Sequence, residues 1–292
     1  MTKRWTHIQA GAVLALVLTT ASAPPLLAAS APESPGDLPA YLQDRGSGIA
    51  TSLFGTYVRS GELLFYPFYE YVKNRDQEYK PSELGYLGGQ DFRGRRVEKE
   101  GLIFLSYGLS DHVAFEFESA LYSTASLRKA TTDTSGVPSL LKESGFGDTQ
   151  AELRWRWSKE TARRPEIWGY SEVVFPFQKE GILIGTADWE LIQGLGLTKG
   201  FRWGTLTTRA SVTYSGSDRR AQLGEYEIEY LKKVSRAWRA VIAMEGEQDE
   251  MALIGEAQWQ IAPSATLKLN NGFGITSKAP DLAPEVGIVF SF

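Results

Sequence analysis

The chain contains no cysteine, which excludes a disulfide framework, a metal–thiolate centre and a cysteine nucleophile. Histidine is almost as scarce. Of the two residues, His7 and His112, only His112 lies beyond the leader described below. Base chemistry in hydrolases usually needs a histidine, and this one sits in a turn-like stretch, Ser110-Asp111-His112-Val113. No HExxH, GxSxG or glycine-rich phosphate loop occurs, so no enzymatic activity, cofactor or metal is expected. After the first thirty residues there is no uninterrupted apolar run of eighteen, which excludes a helical membrane protein but not a β-barrel. A basic excess is also missing: 31 Lys and Arg stand against 35 Asp and Glu, a balance that disfavours a nucleic-acid partner.

The N-terminus reads as an export signal. Lys3 and Arg4 precede an apolar stretch from Ala10 to Ala23, and small residues follow. Cleavage after Leu27-Ala28-Ala29 would release residues 1–29, although Ala21-Ser22-Ala23 fits as well. It would remove two positive charges and no acid. Residues 30–60 are rich in Pro, Gly and Ser, with Pro32, Pro35 and Pro39 and one turn of helix expected over Ala40 to Asp44. Two readings stand: a periplasmic arm or lumen plug, and a plain flexible lead-in to the first strand.

From residue 61 to residue 292 the pattern is alternation. Twelve segments with a period of two run over 61–73, 96–108, 112–124, 147–159, 165–178, 187–199, 203–215, 223–234, 237–247, 250–261, 265–276 and 283–292. The connections mostly alternate between short turns and longer loops, the longest being 74–95 and 125–146. The last segment carries Val286, Ile288, Phe290 and Phe292 on one face and stops on the aromatic residue. An exposed apolar edge strand invites pairing with other chains, whereas closing the sheet removes the edge. The C-terminal segment resembles the assembly signal of bacterial outer-membrane barrels. The fold expected is therefore all-β: a single transmembrane antiparallel up-and-down β-barrel of about twelve strands in a bacterial outer membrane, with both termini in the periplasm. Aromatics at 12% of the chain would supply the girdles of such a barrel.

The polar faces of the strands then line the lumen. The residues expected there are Glu116, Glu118, Glu152, Arg154, Arg156, Glu172, Glu225, Glu227, Glu229, Arg239, Glu256 and Lys268. Acids outnumber bases on these faces, which predicts a cation-favouring interior, although pairing into a network that fills the barrel would explain the same residues.

Ser144-Gly145-Phe146-Gly147-Asp148, the following Glu152-Leu153-Arg154-Trp155-Arg156-Trp157, and Tyr107-Gly108-Leu109-Ser110-Asp111 resemble motifs of the outer-membrane barrels grouped as meta-pathway phenol-degradation proteins. Phe175-Pro176 is similar to that family's Pro-Thr-Gly strand end, but Phe177-Gln178 departs from it. The resemblance implies passage or uptake of a small solute, often hydrophobic or aromatic. The alternative is a closed barrel serving as a structural or surface-interaction module. Partners expected are outer-membrane lipid and lipopolysaccharide, the barrel-assembly machinery through the last strand, and a small solute.

Overall fold

The computed structural model describes residues 38–177, 182–186, 188–216, 219–248 and 250–292. The expected leader 1–29 and residues 30–37 lie outside them. Two short strands, β1 (Ile49–Ala50) and β2 (Tyr57–Val58), form a small antiparallel hairpin. The remaining strands make one sheet. They are β3 (Leu63–Tyr79), β4 (Phe92–Gly108), β5 (Val113–Lys129), β6 (Leu140–Gly145), β7 (Thr149–Ser158), β8 (Glu166–Phe175) and β9 (Glu190–Phe201). The sheet continues through β10 (Gly204–Ser215), β11 (Arg220–Lys233), β12 (Trp238–Glu247), β13 (Glu250–Ala262), β14 (Ala265–Gly274) and β15 (Ala283–Ser291).

Every pairing between these strands is antiparallel. β6 and β7 are two halves of one stave, both pairing with β5. β15 pairs with β3 and β3 with β4, so the sheet closes into a barrel of twelve staves. At the seam Leu63 and Phe292 exchange both backbone hydrogen bonds, at 3.0 and 2.9 Å. The ladder of that seam is interrupted between Gly287↔Phe68 and Phe290↔Phe65, across from Pro67, which has no N–H to give.

The alternation sorts into two faces. Outward side chains are apolar: Leu153, Leu195, Leu197, Ile228, Ile242, Leu253, Leu269 and Val286 are all exposed along the middle of their strands. Aromatics gather near the strand ends. At the end with short turns, the turn end, Trp203 stacks between Phe201 and Tyr230, Trp238 stacks on Trp259 at 5.5 Å, and Phe290 lies beside Phe292. At the opposite loop end, Phe175 stacks on Phe177, and Trp189 lies against Tyr214. Val286, Ile288, Phe290 and Phe292 share the outward face, where Phe290 also stacks on Phe65 of β3.

Two expectations need correction. Residues 74–95 and 125–146 are not simple loops. β3 and β4 continue to Tyr79 and from Phe92, and β5 runs to Lys129 with β6 beside it. The apolar alternation ends there, but cross-strand charge pairs such as Arg93 with Asp76 and Glu78 carry the ladder on. These extensions and residues 182–186 enclose a small apolar cap of Tyr79, Leu84, Leu127, Val137, Leu183 and Ile184. One carboxylate, Glu143, accepts the backbone N–H groups of Ile182, Leu183 and Ile184 at 2.7, 2.6 and 3.1 Å.

The second concerns the motif at 144–148, whose residues lead one to expect turn conformations closed to other residues at Gly145 and Gly147 and bonds from nearby backbone amides to Asp148. Neither glycine adopts a positive φ. What Gly147 supplies is room: a Cβ there would come within 2.6 Å of Ala120 Cβ and Ser123 Oγ. This close approach makes the break between β6 and β7, while Asp148 accepts the distant N–H of Thr186 at 2.7 Å rather than a neighbouring amide.

Candidate functional site

A chain entering a polar lumen must find partners for its backbone groups. Residues 38–60 do so by threading into the barrel from the turn end, bending at residues 51–56 and returning as β2 to the same end. A turn of 3-10 helix, Ala40–Leu42, sits at the rim, where the carbonyl of Tyr41 occupies the space a Cβ on Gly200 would need. The tip is anchored on four sides. Ser52 donates from N and Oγ to Glu116 at 3.0 and 2.7 Å. Gly55 N–H donates to Glu229 at 2.7 Å. The carbonyl of Phe54 accepts from Lys268 and Gln258 at 3.0 and 3.1 Å. Tyr57 Oη lies 3.4 Å from Thr207 Oγ1. Gly55 has φ +56°, and a Cβ there would meet Gln258 and Val241 at 2.8 Å, so conformation and space both require glycine.

The descending leg is held by arginines. Arg45 lies 3.0 Å from both Glu160 and Glu166. Arg156 pairs with Glu166 at 3.1 Å and donates to the carbonyls of Ser47 and Gly48. Arg154 pairs with Glu152, lies 3.5 Å from Glu116, donates to the Ala50 carbonyl at 3.0 Å, and stands over the rings of Trp168 and Tyr170. Those two rings lie inward because Gly194 and Gly196 on the neighbouring strand leave them room. Asp44 accepts from Lys232 and from the backbone of Lys233. Outside the barrel wall, Asp111 in the β4–β5 turn is held below the usual carboxylate range by its hydrogen bond to Lys159.

The hairpin divides the lumen into two chambers. The chamber at the loop end has a volume of about 470 Å³ and, among the described residues, is lined by nine carboxylate side chains, including Glu118, Glu152, Glu172, Glu225 and Glu245, against Arg209 alone. Arg209 pairs with Glu225 and Glu227. The chamber at the turn end, about 890 Å³, carries the opposite sign. Among the described residues seven cationic side chains line it, Arg239 and Lys268 included, with only Asp44 and Glu62 as acids. A net charge over all the strand faces hides this separation, because the two signs lie at different heights along the barrel.

Each residue expected in the lumen thus has a place. Glu118, Glu152, Glu172 and Glu225 line the acidic chamber, and Glu227 pairs with Arg209 beneath it. Glu116, Arg154, Arg156 and Glu229 hold the hairpin. Glu256 pairs with Lys268 at 3.3 Å beside the tip, and Arg239 faces the basic chamber. Sequence reading missed Arg45 and Glu160, which stand in a segment and a turn with no periodicity to mark them, and Glu166, at the very start of the 165–178 segment. His112 is exposed at the turn end, its Nδ1 2.9 Å from the Arg156 carbonyl, while Ser110 Oγ accepts the N–H groups of His112 and Val113. Both residues serve the turn.

The geometry defines a closed β-barrel with an apolar exterior and a charged, partitioned interior. No family model matches the chain, and no curated protein matches it. The resemblance to meta-pathway barrels therefore rests on local motifs alone. Among solved structures, the chain is similar to the KdgM porin in complex with disordered oligogalacturonate, with 7% identity, a TM-score of 0.45, and 78% of this chain and 99% of that one covered. The Ralstonia pickettii toluene transporter TbuX gives 10% identity and a TM-score of 0.40, with 80% and 88% covered. The translocator domain of the autotransporter NalP from Neisseria meningitidis gives 8% identity and a TM-score of 0.40, with 79% and 88% covered.

Proposed function

We propose that this chain is an outer-membrane barrel that passes a small polar solute, with residues 38–60 as the closure of its pathway. The observation that carries this reading is the pair of polar chambers separated by the hairpin, whose tip is held by hydrogen bonds and ion pairs while its two legs pack into small apolar clusters, Ile49 and Val58 against Leu64, Tyr66 and Phe104, and Ala50 against Trp168 and Tyr170. The outward apolar band, flanked by aromatics at both ends, supports residence in a bilayer, since a water-soluble protein seldom exposes such a continuous belt. Short turns at one end, beside both strand termini, support a periplasmic side for that end. Outer-membrane lipid and lipopolysaccharide are the partners such an exterior calls for, and the outward Val286, Ile288, Phe290 and Phe292 would serve recognition by the assembly machinery. Charge on the walls of both chambers favours a polar solute over the hydrophobic or aromatic one that the motif resemblance implies.

Single-channel conductance in planar bilayers tests the reading. The mature chain should be closed or flicker between levels, and deletion of residues 38–60 should give larger, steady steps. Silence from both, in protein verified as folded and inserted, would remove the pathway. That outcome would favour a closed barrel whose loop-end cap, built on Tyr79, Leu127 and Leu183, is a contact surface.

A further inference from the structure

The basic chamber contains a juxtaposition that the hairpin anchors do not explain. Lys233 on β11 and Arg239 on β12 stand directly opposite each other in the ladder. Both point inward, and both line the same cavity. Like charges at a directly opposed position destabilise a sheet. Opposed glutamates recur in and beneath the acidic chamber, Glu227 facing Glu245 and Glu152 facing Glu172, but the cations Arg45, Arg154, Arg156, Arg209 and Lys268 each have a carboxylate partner. Lys233, Arg239 and the adjoining Arg236 have none within 4.0 Å among the described residues. The nearest acid, Asp44, is already engaged by Lys232 and by the Lys233 backbone. The amides of Gln258 and Gln260 line the same space.

We infer that the turn-end chamber is a binding site for a small oxyanion, a phosphate or carboxylate group carried by a solute, held between Lys233, Arg236 and Arg239. A guanidinium fork matches two oxygens of such a group, and an ammonium adds a point charge from the facing strand. The lumen wall keeps bilayer lipid away from this position, so the oxyanion comes from solution. The acidic chamber above the hairpin would repel the same group, so this chamber is loaded from the turn end.

Binding is measurable without transport, and its outcome is independent of the conductance reading. Inorganic phosphate titrated calorimetrically into the folded full-length barrel in a neutral detergent at low ionic strength should bind at one site. Arg239→Gln should weaken it about ten-fold, the loss expected for one charge-assisted contact. Arg236→Gln, in a turn where folding is not at stake, should weaken it in the same direction, and Arg163→Gln on the outer rim should leave it unchanged. A flat titration would overturn the site, as would binding that all three variants leave alike.

Discussion

At the scale of single residues, Gly55 and Glu166 are the positions on which the hairpin turns. Gly55→Ala places a Cβ against Gln258 and Val241 in a left-handed conformation. The backbone penalty alone is about 1–2 kcal/mol. The hairpin should then leave its seat more often, read as longer open times in a bilayer and faster proteolysis of residues 49–58. Glu166→Gln takes the shared charge from Arg45 and Arg156 at once. Removing one partner of a buried ion pair costs about 3–5 kcal/mol, so this change should lower the midpoint of chemical unfolding, while the doubly neutral Arg45→Met with Glu166→Gln recovers part of the loss. The Asp111–Lys159 contact behaves differently. A depressed carboxylate pKa contributes stability at neutral pH and loses it only as pH falls through the lowered value, below the ordinary Asp range. The pair is exposed and screened, so Asp111→Asn should leave the unfolding midpoint unmoved in high salt.

At the scale of elements, the strands were legible and the segment before them was not. Alternation located all twelve staves to within a few residues over their apolar middle, because a strand between lipid and a polar lumen has to alternate. Where β3, β4 and β5 rise past the apolar band, both faces become polar and the period fades, so their upper ends read as loops. Residues 38–60 are anchored through backbone groups: the Ala50, Gly48 and Phe54 carbonyls and the Gly55 N–H. Backbone anchoring leaves almost no mark on side-chain choice, and the side chains that share in the anchoring, Asp44, Arg45, Ile49, Ser52, Tyr57 and Val58, follow no period, so a plug and a lead-in read alike in the sequence. Charge identity in the lumen could be read strand by strand, but its division into two chambers depends on register and height, which a one-dimensional pattern does not carry. Glu143 gives an element-level prediction. Glu143→Gln should speed hydrogen exchange of the amides of residues 182–184 while leaving β10 to β14 protected.

At the scale of the whole molecule, the two faces of the barrel should answer substitution differently. Leu195 lies outward at the middle of β9. Leu195→Arg should destabilise the barrel in lipid vesicles by about 2–4 kcal/mol, the cost of a cation at bilayer mid-depth. Thr213→Arg, inward in the acidic chamber, should cost far less and should instead change ion selectivity. Comparing the two by urea unfolding in vesicles checks which surface meets lipid. Equal penalties would contradict the assignment of faces.

The hairpin enters and leaves by the same end of the barrel. It is a finger in a glove, not a thread through a needle, and no strand pairing of the barrel wall has to open for it to withdraw. Traction from the turn end, applied to the chain ahead of residue 38, would pull along the barrel axis, first against the bonds of Arg45 and Asp44 and then against those of Ser52 and Gly55. Such a barrel can be unstoppered mechanically and restoppered by relaxation, its wall intact throughout.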